Sequence, residues 1–449
     1  MSNQHTMTQR TPTSLAADPQ LQQALSRRKL LALAAVGTTL SALAGCASTG
    51  GSKTIGRVVV VGAGFGGATA AKYIRLWSQG AIAVTVVESN REFISCPMSN
   101  LVIGGSKTMK DITLSYAGLD KHGVRMVYDT VTAVDADKRE VRLASGGTLP
   151  YDRLVLSPGV DFMYEGIAGM NAAGQAAVLH AWKAGPQTVA LRQQLMAMPD
   201  GGTVVMSIPL APYRCPPGPY ERACQIAWYM KAKKPKSKLL VLDANPDMVS
   251  KKGLFTKVFN DDYKGLIEYR NGAVVNEVDV RGRSFKTEFG DVIKADVLNL
   301  IPPMRAGNIA RQAGVINANN RWCGVDWRSM ESTAVKNVHV IGDSTLAAAA
   351  MPKSGHMANQ HGKTAAAAIV ELMNGRPATA QMMANTCYSY VNDASAVHVA
   401  SVHRWVPEKS TMETVPGSGG LSPMDPKVWE LEGDYAWGWA EAIWADMLA

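Results

Sequence analysis

The sequence predicts an α/β protein made of two Rossmann-like dinucleotide-binding domains and a C-terminal α+β segment. Three observations predict it: a β-branched run entering a glycine triplet and an Ala-rich helix, "GRVVVVGAGFGGATAAKYIRLW"; a second strand, helix, strand unit between Gly201 and Asn245; and a late strand ending in Gly-Asp, "VKNVHVIGDSTLA". The 449 residues are too many for one ordinary core, and 47% hydrophobic with 18% charged residues describes a globular chain rather than a disordered one.

In chain order, the first element is a leader. Ser26-Arg27-Arg28-Lys29-Leu30-Leu31 precedes an apolar, small-residue stretch to Ala44, which matches a twin-arginine export signal. Gly37, Thr38, Thr39 and Ser41 interrupt it too often for a membrane span, and no other segment approaches one. That route carries folded, cofactor-loaded proteins, so the expectation is a periplasmic holoprotein. "LAGC", Leu43 to Cys46, also resembles a lipoprotein processing box that would leave Cys46 lipidated; cleavage after Ala44 is the favoured reading. The formal charge of +9 falls to about +6 without Arg10, Asp18, Arg27, Arg28 and Lys29 of the leader. The longest basic run, "KAKKPKSK" from Lys231 to Lys238, reads as a solvated face or helix end, so nucleic acid is a poor partner.

The first nucleotide signal is Gly62-x-Gly64-x-x-Gly67 between a strand and a helix, followed by a second strand, "AIAVTVVESN", that ends in Glu88. Glycines permit the tight turn and close backbone approach, the helix N-terminus faces a pyrophosphate, and Glu88 can accept from ribose hydroxyls. The acid favours a free 2′-hydroxyl, hence FAD or NAD over NADP. "YDRLVLSPGV" (Tyr151 to Val160) and the strand ending in Gly342-Asp343 follow, separated by an inserted segment. These signals, in that order, resemble the two-dinucleotide-domain flavoprotein fold of the FAD/NAD(P)-binding disulfide-reductase type, in which the late Gly-Asp binds FAD.

The inserted segment keeps strand, helix, strand but loses the loop. "GGTVVMSIPLAPYRCPPGPYERAC" runs from its strand into Ile208-Pro209-Leu210-Ala211-Pro212 where nicotinamide-using members carry glycines. Proline has no N–H, so this loop cannot present a row of amide donors to a pyrophosphate. The expectation is an enzyme whose electrons do not come from NAD(P)H.

Of the six cysteines, Cys46 lies at the processing boundary and Cys96, Cys215, Cys224, Cys323 and Cys387 remain in the body. None forms C-x-x-C-H, so no c-type haem is attached to this chain, and no spacing suggests zinc or an iron–sulfur cluster. His356 and His361 share a helix without a visible third ligand and read as polar core or surface residues.

Several segments then carry a more specific resemblance: "REFISCPMSNLVIGG", "PYRCPPGPYERA", "NLIPPMRAG", "MPKSGHMANQHGKTAAAA", "NTCYS" and "YAWGWAEAIW". From about residue 55 to the C-terminus the chain resembles the flavoprotein subunit of flavocytochrome c sulfide dehydrogenase. The resemblance implies FAD held through an 8α-thioether to Cys96, a redox disulfide between Cys215 and Cys387 beside the flavin, and free Cys224 and Cys323. It further implies an active-site acid at Glu221, an aromatic beside the flavin at Trp439, a small sulfide substrate, and a heterodimer with a separate c-type cytochrome subunit. Lys353, between the Gly-Asp strand and the next helix, is placed to bring positive charge to the flavin's pyrimidine edge.

Each residue also has a plainer reading. Cys96 suits a small core position, Cys215 and Cys387 a structural staple, Glu221 a helix N-terminus, and Trp439 a core or interface. A sulfide:quinone oxidoreductase is the nearest rival, and it needs a membrane foot. The aromatic tail "WELEGDYAWGWAEAIWADMLA" raises that question, yet carries Glu430, Glu432, Asp434, Glu441 and Asp446. A non-catalytic flavin relay or assembly module is the alternative of another class. The expected organisation is a signal peptide over 1–46, a linker over 47–55, an FAD domain in two parts over 56–169 and 301–377, the second Rossmann-like domain over 170–300, and a C-terminal domain over 378–449.

Overall fold

The computed structural model describes residues 54–449; the twin-arginine leader, Cys46 and the start of the linker lie outside the described residues. The valine run Gly56–Val61 forms β1, because β-branched side chains suit a pleated, doubly covered strand. Val58 to Val61 are all buried, each worth about 1.5–3 kcal/mol in apolar surface removed from water. Helix α1 (Phe65–Trp77) crosses to β2 (Ile82–Glu88), which lies parallel to β1. The short helix α2 (Ser99–Gly104) follows, then β3 (Val124–Tyr128) and β4 (Arg153–Leu156).

The turn from β1 into α1 requires glycine twice. Gly62 has φ +90, and a Cβ there would stand 2.5 Å from the Ser157 carbonyl oxygen. A Cβ at Gly67 would stand 1.8 Å from the Gly62 carbonyl oxygen, so helix and loop pack at a separation that no side chain permits.

After β4 the chain leaves this sheet and builds a second one. It contains β5 (Thr203–Ile208), α3 (Gly218–Lys233), β6 (Lys238–Asp243), α4 (Lys252–Asp261), β7 (Ile267–Arg270) and β8 (Val297–Leu300). Its strands are all parallel, in the order β7-β6-β5-β8. The chain then returns to the first sheet through β9 (Val338–Val340), beside β4, giving β9-β4-β1-β2-β3 with two short strands beyond β9. Helix α5 (Gly355–Met373) packs its alanines against α1. An antiparallel sheet of β10 (Met383–Tyr390), β11 (Ala396–Val406) and β12 (Thr411–Thr414) follows, and helix α6 (Pro426–Leu448) closes the described chain.

In the second sheet, the acid at the end of β6 is consumed inside the protein. Asp243 accepts from the hydroxyls of Tyr220 (2.7 Å) and Tyr269 (2.9 Å), and from the backbone N (2.9 Å) and Nδ2 (2.7 Å) of Asn245. Asn245 in turn fastens the proline loop, with Nδ2 donating to the Pro209 carbonyl and Oδ1 accepting from Ala211 N, both at 3.0 Å. Proline for glycine and an internally saturated aspartate go together, leaving this crossover without the donors and acceptor that read a dinucleotide.

The acids of α6 are partly internal as well. Glu432 is buried against His398 and accepts from the Ser422 hydroxyl. Asp446 pairs with Lys363 at 3.0 Å and accepts from the Tyr73 hydroxyl and Asn359 Nδ2. None of the described helices is long and apolar enough to cross a membrane.

Candidate active site

The loop ends of both parallel sheets and the strand β10 surround one cleft. Its floor is the glycine loop. Gly64 lines the cleft, and a Cβ there would meet nothing within 4 Å, so space is open above the N-terminus of α1. Gly62 and Gly67 sit behind this wall and shape it, as does Glu88, whose Oε2 accepts from Ala63 N at 2.8 Å and whose Oε1 accepts from Asn90 N at 2.9 Å. Phe65, Phe93, Ile94, Met98, Trp182 and Trp439 give the cleft an apolar, aromatic lining.

Gly342 and Asp343 enter from the turn after β9. Asp343 Oδ1 is shut off from solvent and has no hydrogen-bond partner among the described residues. Burial raises its pKa, while Arg214 and Lys353 act in the opposite direction. An open glycine loop at a helix N-terminus and an orphaned carboxylate oxygen in one apolar cleft fit FAD, whose pyrophosphate, ribityl hydroxyls and ring need those three surroundings.

Three cysteines from three parts of the chain line the same cleft: Cys96, Cys215 and Cys387. Cys96 lies between β2 and α2, and its Sγ accepts from Ala184 N at 3.4 Å. Cys215 sits at the tip of the proline loop with φ +58, a left-handed backbone unusual for a side chain with a Cβ. Its N–H donates to the Lys353 carbonyl at 2.7 Å and its carbonyl accepts from Gly218 N at 2.9 Å, so the strained residue is held from both sides. Cys387 projects from β10, with Asn385 Nδ2 3.4 Å from its Sγ. All five described cysteines are free thiols, so the Cys215–Cys387 bond that the resemblance implies is not formed in this structure. Cys224 and Cys323 are buried away from the cleft.

Burial pushes the Cys215 thiol well above its ordinary pKa, with Cys387 and Glu221 adding to the rise and Arg214 and Lys251 opposing it. Burial also raises Cys387, against which Lys251 and the hydrogen bonds from Asn385 and Ser354 act. Burial therefore outweighs the nearby cations at both sulfurs, and donors from Asn385 and Ser354 act at Cys387.

Glu221 stands in the first turn of α3, buried at the cleft wall. Oε1 accepts from Tyr390 N at 2.9 Å and Oε2 from Asn100 Nδ2 at 2.8 Å. Next to it the buried Arg222 donates to Asn100 Oδ1 and the carbonyls of His180 and Ala181, and lies over the Trp182 ring. Burial raises the Glu221 pKa above the ordinary 4.5, despite these donors. The folded protein thus binds this proton more tightly than the unfolded chain, and the contribution of Glu221 to stability falls as pH rises from 4.5 through the folded value. Urea unfolding is expected to show the advantage of wild type over Glu221→Gln shrinking across that window. An advantage that grows with pH would mean that the site stabilises the carboxylate.

The structure brings Gly64, Cys96, Cys215, Glu221, Gly342, Asp343, Cys387 and Trp439 to one cleft wall. Lys353 differs from expectation. Its ammonium turns away from the cleft to the carbonyls of Asp343 and Thr345 and sits 3.7 Å from the centre of the Trp322 ring, and only its own carbonyl reaches the Cys215 loop. Buried carbonyls at the end of the Gly342–Ser344 turn need a donor, and the lysine supplies it. His356, read from sequence as core or surface, lines the cleft; its Nδ1 accepts from Thr386 N at 3.0 Å and its ring packs 5.9 Å from Trp439. Sequence reasoning missed Arg214, Arg222, Asn100 and Trp182, which line the cleft, and Lys251 beside it. Arg214 and Arg222 lie in "PYRCPPGPYERA" and Asn100 in "REFISCPMSNLVIGG", which is the signal available for those three.

The chain matches the family model described as the sulfide dehydrogenase [flavocytochrome c] flavoprotein chain, central, over residues 188–302. Residues 379–448 match the flavocytochrome c sulphide dehydrogenase flavin-binding model, and 56–200 match pyridine nucleotide-disulphide oxidoreductase. The sulfide dehydrogenase [flavocytochrome c] flavoprotein chain of Chlorobaculum thiosulfatiphilum is 56% identical over 46 residues, which cover 10% of this chain and 94% of that one. The mitochondrial sulfide:quinone oxidoreductase of Mus musculus is 26% identical over 301 residues, 64% of this chain and 65% of the relative. The chain thus spans just under two thirds of the length of the mitochondrial relatives it matches. Among solved structures, the sulfide:quinone oxidoreductase of Aquifex aeolicus shares the fold with a TM-score of 0.68 at 17% identity, covering 87% of this chain and 91% of that one.

Proposed function

The chain belongs to the family of the flavocytochrome c sulfide dehydrogenase flavoprotein, and from that premise we propose that it oxidises hydrosulfide at Cys215 and Cys387. The observation that carries this reading is the convergence of Cys215, on the loop of one domain, and Cys387, on a strand of another, in the cleft that fits FAD. In the oxidised protein the two sulfurs form a disulfide. Hydrosulfide attacks one sulfur, the S–S bond breaks, and a cysteine persulfide and the partner thiolate result. The electron pair of the broken bond resides on that thiolate, and the outer sulfur of the persulfide is the precursor of sulfane sulfur or polysulfide. FAD bound in the cleft supplies a two-electron acceptor beside the pair.

The chain's own residues set up this exchange. Arg214 and Lys251 hold positive charge near the sulfurs, where negative charge develops. The apolar walls lower the local dielectric and strengthen those interactions. Glu221 and Trp439 border the space in which sulfide must approach. Cys96 lines the same cleft, which supports its use as the thioether link to FAD.

The proposal includes twin-arginine export to the periplasm and electron transfer to a separate c-type cytochrome subunit, since this chain has no C-x-x-C-H. Anaerobic sulfide is expected to bleach the flavin absorbance of the purified protein, and the reduced protein is expected to reduce a c-type cytochrome faster than a quinone analogue. Absence of bleaching would contradict sulfide oxidation. Bleaching followed by electron delivery only to the quinone would make the protein a quinone reductase instead.

A further inference from the structure

Lys251 is a buried lysine that the reaction described above uses only as a charge near the sulfurs. It precedes helix α4 with φ +53, in the left-handed region, and is 4% exposed. Burying an ammonium and holding a lysine backbone in that region both oppose folding, so the position has a compensating use. The contacts of its side chain identify that use. The three protons of Nζ meet three acceptors: the Cys387 carbonyl at 2.7 Å, the Ser389 hydroxyl at 2.9 Å and the Val397 carbonyl at 2.7 Å. All three acceptors lie on β10 and β11, whereas Lys251 belongs to the segment that follows β6 in the domain carrying Cys215.

We propose that Lys251 is a positioning residue for the cysteine pair: it fastens the strand that carries Cys387 to the domain that carries Cys215, and its ammonium makes Cys387 the thiolate of the reduced pair. Asn385 Nδ2 adds a donor 3.4 Å from the same sulfur, and Ser354, the cap of α5, donates to Asn385 Oδ1 at 2.6 Å. The charged and titratable groups facing Lys251 are Cys387 and Glu432 from the C-terminal elements, and Glu221 and Cys215 from its own part of the chain. Burial draws the ammonium pKa down to about 8, and these four groups act to restore it. Arg214 acts on Cys215, whereas Lys251 is the cation that acts on Cys387.

The inference rests on Cys215 and Cys387 being the reacting pair, but its test uses no sulfide and so fails separately from that reading. The reduced holoprotein is treated briefly with limiting iodoacetamide at neutral pH, and the Cys387 and Cys215 peptides are quantified. Cys215 is the more exposed thiol, so accessibility alone would label it first. Cys387 is expected to react at least about tenfold faster, the ratio that one pKa unit produces in thiolate fraction. Lys251→Met is expected to abolish that preference and Lys251→Arg, which retains the charge, to preserve much of it. Should Lys251→Met fail to fold, Ser389→Ala removes one acceptor of the ammonium and is expected to narrow the preference. Faster labelling of Cys215 in wild type, or an unchanged ratio in Lys251→Met or in Ser389→Ala, would overturn the proposal.

Discussion

Replacing Cys387 with alanine is expected to cut sulfide-driven turnover by about a thousandfold or more while leaving the protein folded and its flavin bound. The size follows from removing one member of a pair that acts as a unit, where a single loss costs nearly as much as the whole. With only Cys215 left, hydrosulfide meets no disulfide to attack, and no thiolate is released to carry the electron pair. The fold is expected to survive because the anchors of β10 do not involve the sulfur. Lys251 holds the Cys387 backbone carbonyl, and Cys387 remains in register opposite Val399. Steady-state sulfide oxidation together with the visible flavin spectrum checks both halves. Wild-type turnover in Cys387→Ala would return the residue to a packing role.

Replacing Cys96 with alanine is expected to change how FAD is held rather than whether it binds. The glycine loop, Glu88 and the Gly342–Asp343 turn remain, so the native variant keeps the cofactor. Cys96 is the cysteine nearest α2 on the cleft wall; its sulfur accepts from Ala184 N and faces the guanidinium of Arg214. After denaturation and gel filtration, wild type is expected to retain its yellow colour in the protein fraction and Cys96→Ala to release it entirely as free FAD. Flavin that stays with the denatured variant would remove Cys96 as the attachment point.

The parts of the fold that sequence made legible are those with local physical causes. A valine run, glycines at Gly62 and Gly67 and an acid at Glu88 specify one crossover, because the turn and the packing leave no room for side chains there. Proline in the loop after β5 likewise announces the loss of amide donors, and the saturation of Asp243 by Tyr220 and Tyr269 adds a second reason that only three-dimensional proximity reveals. The site was harder to read. Lys251 belongs to a polar, basic stretch, "VSKKG", that has the pattern of a solvated turn, yet it is buried because distant strands supply its acceptors. Lys353 went the other way, from the expected flavin edge to backbone carbonyls and Trp322, since helix position specifies a residue's place but not the direction of a long flexible side chain. Arg222 and Asn100 form a buried network joining α3 to α2, and no spacing in the chain encodes it.

Cys215 and Cys387 are the centre of the functional account, and their chemistry can be tested without substrate or partner. The most direct measurement is a peptide map of the oxidised holoprotein, alkylated and digested without reduction. It is expected to yield one crosslinked species joining the Cys215 and Cys387 peptides, which disappears on reduction, with Cys224 and Cys323 recovered as alkylated thiols. Recovery of Cys215 and Cys387 as separately alkylated thiols from the oxidised protein would contradict the account.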